Sequence, residues 1–392
     1  MTDPSLSNLR VAIVHYWLVA QRGGERVIEA LAEMFPQADL YTLVLDRASL
    51  SPSLQSRKII PSFLQKIPGA TRHYQKFLPL FPLALEQFRL DDYDLVISSE
   101  SGPAKGVLTS QHTCHICYCH SPMRYLWDMY HRYRAQNGLG RLSQAVFSLS
   151  AHYVRLWDLA AASRVDYFVA NSRNVAARIR KHYRREAVVI HPPVNVRSAY
   201  ISEKTEDYYL VVSQLVGYKR VDLAIAACNR LGRKLRIIGD GEEYPRLRRL
   251  AGPSVEFLGS LPDKALGEHY AHCRALLFPG EEDFGIVPVE AQAHGRPVIA
   301  YGQGGALETV LGFFAENPVA PEKSTGIFFA QQTIESLVNA ILLFEGIEGR
   351  FSPTFIRDQV QRFDASRFKA EVTSFIDEKW LEFNDLRVNQ KL

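Results

Sequence analysis

The apolar pattern of this chain runs through the same cycle twice. Short aliphatic runs (VAIVHY, DLYTLVL, YDLVISS, HICYCH, YFVANS and AVVIHPPV) are separated by stretches of helical periodicity, one of them from about Gly24 to Met34. Runs without polar alternation suit strands covered on both faces, and strands alternating with helices predict a parallel sheet. The segment VNVRSAYISEKTED, polar and poor in large aliphatics, reads as a linker. The cycle then restarts at YYLVVS and continues through a helix at about Arg220–Leu231, KLRIIGDG, VEFLGS, ALLFPG and RPVIAYG. From about Phe351 the pattern turns helical (RFKAEVTSFIDEKWLEFN). The expected fold class is α/β: two doubly wound Rossmann-like domains, over 1–196 and 197–365, with a helical segment over 366–392. In open parallel sheets ligands bind beyond the carboxyl ends of the strands, so residues just after each apolar run are the place to look for chemistry.

A chain of 392 residues is long enough for two such cores. No run approaches the apolar length that spans a bilayer, and MTDPSLSNLR lacks a basic-then-apolar secretory pattern, so the expected location is cytoplasmic. Five scattered cysteines argue against a disulfide framework. Cys114-His115-Ile116-Cys117-Tyr118-Cys119-His120 lacks the turn and second ligand pair of a zinc site and reads as a buried strand. A net charge of +4 implies no nucleic-acid partner. Its distribution says more: Arg57, Lys58, Lys66, Arg72, Lys76 and Arg89 interleave with Phe63, Leu64, Phe77, Leu78, Phe81 and Leu83. That pattern fits either a surface resting on anionic headgroups or a packed insertion with a solvated basic face.

The densest chemistry lies at EDFGIVPVE. The strand Ala275–Phe278 ends at Pro279-Gly280, Glu282 falls in the loop beyond, and Pro288 is tolerated in the first turn of the helix that follows. Glu290 lies inside that helix. Eight residues at helical rise span roughly 12 Å, the distance from a hexose to the ribose of a nucleotide-sugar. The helix start between the two acids offers N–H groups and a positive dipole end to a diphosphate. A Gly-rich loop, Gly302-Gln303-Gly304-Gly305, comes next.

These residues resemble the retaining glycosyltransferases of family 4, whose signature is Glu, seven residues, Glu, with Phe-Gly after the first acid. The resemblance extends through HYWLVAQRGGER, YCHSPMRYLWDMY, SQLVGYKRVDLA, IIGDGEE, FLGSLPD and GGALETV. It implies the GT-B arrangement, two domains facing across a cleft with a C-terminal helix crossing back to the first, and it implies roles for single residues. Glu282 would contact the donor sugar and Glu290 the ribose diol, while the backbone of Phe284, Gly285 and Ile286 would meet the distal phosphate and sugar. Lys219 would supply charge to the departing diphosphate. Members commonly carry Arg five residues before that lysine, where this chain has Gln214; Arg220 is the candidate to compensate. Gly23 and Gly24 match the glycine loop near the donor phosphate, and His120 the histidine that contacts the donor sugar. Leu261 and Asp263 fall in the loop that brackets the base. Arg124 and Tyr125 are candidate acceptor contacts. His15, His112 and His115 carry no comparable argument.

The resemblance is to bacterial mannosyltransferases of O-antigen and exopolysaccharide assembly. It implies GDP-mannose as donor, a glycan or lipid-diphosphate-linked oligosaccharide as acceptor, peripheral membrane contact and no metal or other cofactor. A UDP-hexose donor, an epimerase on the same scaffold, or a non-catalytic subunit are the rival readings.

Overall fold

The computed structural model describes residues 8–20, 23–136, 140–314 and 320–389. Gln21 and Arg22 of the glycine-loop segment lie outside them, as do both extreme ends of the anticipated domains. The chain forms two compact units, one of residues 1–193 with 368–392 and one of 194–367.

The first unit holds a parallel sheet of β1 (Val11–His15), β2 (Asp39–Thr42), β3 (Ile59–Pro61), β4 (Leu95–Glu100), β5 (Cys114–Cys119), β6 (Tyr167–Ala170) and β7 (Ala187–Val189). Its order is β3-β2-β1-β4-β5-β6-β7. β1, β4 and β5 are buried at every position. Helices on both faces explain why these strands show no polar alternation. Three helices matter below: α1 (Gly23–Met34), α2 (Arg141–Ala162) and α3 (Arg173–Tyr183). The anticipated zinc-like cluster is indeed strand β5; its cysteines are buried and free, and His115 Nε2 lies 2.9 Å from Ser98 Oγ.

The second unit repeats the plan with β8 (Tyr209–Val212), β9 (Leu235–Ile238), β10 (Val255–Gly259), β11 (Leu276–Phe278), β12 (Val298–Tyr301), β13 (Gly312–Phe314) and β14 (Gly326–Phe329), in the order β10-β9-β8-β11-β12-β14-β13. Around the site lie α4 (Val221–Leu231), α5 (Asp263–His272) and α6 (Ile286–Ala293). The supposed linker belongs to this unit: Val194, Val196 and Ala199 pack with Phe284, Val289 and Phe363.

The tail is broken rather than continuous. A short helix, Pro353–Gln359, ends before a tight turn at Gln361–Phe363, and α7 (Ala365–Asn389) then returns the chain to the first unit. There Phe368, Val372, Phe375 and Ile376 join the core beneath β1 and β4. The basic stretch 57–89 is largely a packed insertion. Leu64 and Phe81 are buried, Phe63, Phe77 and Leu78 are partly so, and Lys66, Arg72, Lys76 and Arg89 stand in solvent. Among the described residues no helix is long and apolar enough to cross a membrane.

Candidate active site

Near its middle each sheet has a place where the strand order reverses: between β1 and β4 in the first unit, and between β8 and β11 in the second. Connections leave such neighbours in opposite directions, so a crevice opens beyond their carboxyl ends. Most of the candidate residues gather at these two points.

In the first unit, register places His15 opposite Ser99, the one ending β1 and the other near the end of β4. His15 Nδ1 lies 3.1 Å from the Ser99 carbonyl and 3.2 Å from its Oγ, and Ser99 Oγ lies 2.9 Å from Nε2 of His120. The carbonyl only accepts, so His15 Nδ1 is the donor there. The Ser99 hydroxyl, with one proton and two lone pairs, links the two rings, and His120 Nε2 is its partner on the far side. Burial pushes His15 down to about 3, helped by the neighbouring His120, and pushes His120 down to about 4; both rings are neutral at physiological pH. Glu25, itself buried in the first turn of α1, faces His15 Nε2 at 4.0 Å. Gly23 opens α1. At Gly24 an added Cβ would sit 3.2 Å from the Tyr16 hydroxyl, 3.4 Å from His15 and 3.8 Å from His120 Nε2. Gly24 and His120 thus share one small space, with His15 and Ser99 as supports that sequence reasoning missed. The two are 84 residues apart, and only the β1–β4 register joins them.

Arg124 and Tyr125 follow β5. Tyr125 turns its hydroxyl inward onto Met123 Sδ at 3.0 Å. Arg124 is partly buried and its charge contributes, after the His182 hydrogen bond and Arg178, to holding the Asp128 carboxyl below its usual range.

In the second unit, Lys219 after β8 and Glu282 after β11 form an ion pair between Nζ and Oε1, with side chains 15% and 20% exposed. Two glycine contacts make that meeting possible. A Cβ at Gly280 would stand 2.9 Å from Lys219 Cα, and one at Gly305 would stand 2.3 Å from the Phe284 carbonyl oxygen. Gly305 N donates to the Glu282 carbonyl at 2.8 Å. The Gly-rich loop therefore acts as a backbone brace for the loop carrying Glu282. Gly285, at φ 92°, caps α6 without any side-chain cap, and Phe284 anchors the loop through an edge-on contact with Phe363 at 5.4 Å. Only Ile286 and the residues after it are helical, so half of the Glu282–Glu290 span is loop. Glu290 accepts a 2.8 Å hydrogen bond from the Tyr270 hydroxyl, which fixes its rotamer.

The remaining candidates are dispersed. Arg220, in a left-handed conformation at φ 53°, spends its guanidinium on Asp222 at 3.1 and 3.2 Å. Gln214 is exposed, Leu261 packs at the edge of the β8–β11 core, and Asp263 stands exposed at the start of α5. Among the described residues no group of three or more His, Cys, Asp or Glu side chains is placed to hold a metal ion.

Comparison with known proteins decides the family. Residues 21–198 match the model "Glycosyltransferase Family 4" and residues 195–349 match "Glycosyl transferases group 1", together most of the chain. The chain belongs to the family 4 glycosyltransferases. This glycosyltransferase is 25% identical over 338 residues to the human alpha-1,3/1,6-mannosyltransferase ALG2, covering 73% of the chain and 76% of the relative. It is 27% identical over 184 residues to an uncharacterised glycosyltransferase of Methanocaldococcus jannaschii, covering 46% of the chain and 52%, about half, of that relative. Its fold is that of the Thermosynechococcus elongatus sucrose-phosphate synthase, at a TM-score of 0.69 and 17% identity over 96% of the chain and all of the other. Anabaena HepE in complex with UDP-glucose matches at 0.65 and 15% identity, over 94% of the chain and 99% of that structure. The glycosyltransferase has the two-domain GT-B fold.

Proposed function

We propose that this glycosyltransferase moves a mannosyl group from GDP-mannose, with retention, onto a hydroxyl of a growing polysaccharide carried on a lipid diphosphate. The observation that carries the reading is the Lys219–Glu282 pair at the β8/β11 crevice. An activated sugar presents a diphosphate and a ring of hydroxyls, and this pair offers a cation to the first and a carboxylate to the second. The uncapped start of α6 adds backbone donors, and Glu290, held by Tyr270, suits the ribose diol. Mannose is favoured by the mannosyltransferase relatives.

Departure of the nucleoside diphosphate builds negative charge that Lys219 stabilises, with no step assigned to a metal. The acceptor hydroxyl then enters on the face the diphosphate leaves, and the leaving phosphate oxygen takes its proton. No second carboxylate is placed as a hydrolase-like nucleophile in this reading. His120, kept neutral by burial, contacts the donor sugar; His15 acts as a positioning residue through Ser99. Asp263 is assigned to the base edge, and Arg124 and Tyr125 to the acceptor side.

A panel of GDP, UDP and ADP tests the donor by thermal shift. A ligand at 100 times its Kd stabilises by about 2.7 kcal/mol, so GDP should raise the melting temperature where UDP and ADP do not. A response to UDP alone overturns the GDP-mannose assignment in favour of a UDP-hexose. For the histidine relay, His15→Ala should lower kcat about tenfold, the worth of one hydrogen bond, with donor KM little changed. His15→Asn, whose amide nitrogen reaches the Nδ1 position, should restore most of it. Equal losses in both variants would show that His15 matters only for packing.

A further inference from the structure

α2 is a 22-residue helix whose solvent face is apolar. Its inner face is accounted for: Ala151 and Val154 pack with Met123 and Leu126, and Phe147 stacks on Tyr130. The opposite face repeats at four and three residues, Leu142, Val146, Leu149, Tyr153 and Leu156, the spacing of a continuous helical stripe. Leu142 and Leu149 are 80% and 78% exposed, and every member of the stripe is more than half exposed. Leu80 and Leu83, on the segment that packs beside α2, are exposed as well. Singly exposed leucines are ordinary, but an unbroken stripe roughly 20 Å long is not.

The charges around this stripe identify its occupant. Lys76, Arg134 and Arg141, on the neighbouring turns and at the start of α2, stand in solvent. The two acids of these elements point away: Asp158 is fully buried, and Glu86 is engaged by Trp157 Nε1 and Arg164. The face is thus leucine and tyrosine rimmed by cations, with no exposed carboxylate on those elements. A second copy of the chain seated here would oppose cation to cation with no compensating acid. An anionic bilayer supplies both missing complements, acyl chains for the stripe and headgroup charge for the rim.

We propose that the outer face of α2 is a membrane-docking surface that lies flat on anionic phospholipid. This goes beyond the donor reading and does not depend on it. The basic stretch 57–89 supplies part of the rim rather than the contact itself.

Flotation of the full chain with phosphatidylcholine vesicles, with and without roughly a third phosphatidylglycerol, tests the assignment. The wild type should float with the anionic vesicles about tenfold better than with the neutral ones, and added salt should weaken binding. Leu149→Asp with Leu156→Asp should abolish flotation while circular dichroism and melting temperature stay as in the wild type, because both side chains are exposed. Lys76→Glu with Arg141→Glu should weaken binding to anionic vesicles only. Absence of wild-type flotation, equal flotation with neutral vesicles, or binding unchanged by the leucine pair would each overturn the proposal. So would a wild-type dimer in sedimentation that the leucine pair makes monomeric, since the face would then serve a second copy.

Discussion

Glu282→Ala should lower turnover by about a hundredfold while leaving, or even tightening, the binding of a bare nucleoside diphosphate. Lys219→Ala should lower both. The opposite signs on affinity follow from the ion pair itself. In the unliganded protein Glu282 neutralises Lys219, so an arriving diphosphate competes with that carboxylate. Removing the acid releases the cation to the phosphate, but it also removes the group assigned to the sugar. Removing the lysine takes away charge that is needed most as the diphosphate departs, and losses of ~10²–10³ in kcat are typical for such groups. The pair is partly exposed, so its loss should cost stability no more than about 1 kcal/mol. The double variant should lose far less than the product of the single losses, since the two act on one leaving event. Kinetics with donor and acceptor, beside calorimetric binding of GDP, check this. If both single variants turn over normally and only the melting temperature moves, the pair is a structural tie and the site lies elsewhere.

How much of this was readable from the chain depends on whether the determinant is local. The strands were legible because LVISSE and CHICYC carry no alternation, which only two-sided cover explains. Helix α4 was placed to within a residue because Gly232, at φ 66°, stops it. Lys219 and Glu282 were legible as separate motif residues; that they touch follows from Gly280 and Gly305, whose lack of a side chain lets two backbones close. The break in the C-terminal helix was not legible, since Phe363 looks like one more apolar helix position until it is seen against Phe284. Periodicity announces the apolar face of α2 but not whether anything covers it. The relay from His15 to His120 and the buried charges behind it depend on register between distant strands. No local pattern carries that information.

Those buried charges give the largest expected effect on stability. Glu100, Lys105 and Asp158 are all fully buried. Lys105 Nζ lies 3.1 Å from Glu100 Oε1 and pairs closely with Asp158 Oδ1, while Asp158 Oδ2 also accepts from Trp127 Nε1 at 2.8 Å and the Tyr183 hydroxyl at 3.0 Å. Burial pulls the ammonium down, but the two carboxylates outweigh it and hold Lys105 above its usual range. Two acids against one base leave one negative charge in excess, and burial with Asp158 nearby pushes Glu100 up to about 7. Lys105→Met should therefore cost about 3–5 kcal/mol at neutral pH, the toll of breaking a buried ion pair on one side, or roughly 10 °C in melting temperature. Acid should return part of it. Without the ammonium Glu100 loses the cation that opposes its upward shift, so the folded state holds more protons than the unfolded and stability rises as pH falls through that range. Asp158→Ala should behave oppositely. Glu100 becomes the sole counter-ion of Lys105, its pKa drops below about 7, and the favourable response to acid disappears. Melting curves of both variants between neutral and mildly acidic pH check the pair. Identical pH responses would mean that the three groups do not share a charge balance. The consequence reaches the candidate site, because the Glu100 carbonyl accepts the His120 amide at 2.6 Å. A disturbed end of β4 moves Ser99 and His120 together, so Lys105→Met should also lower kcat although Lys105 touches no substrate.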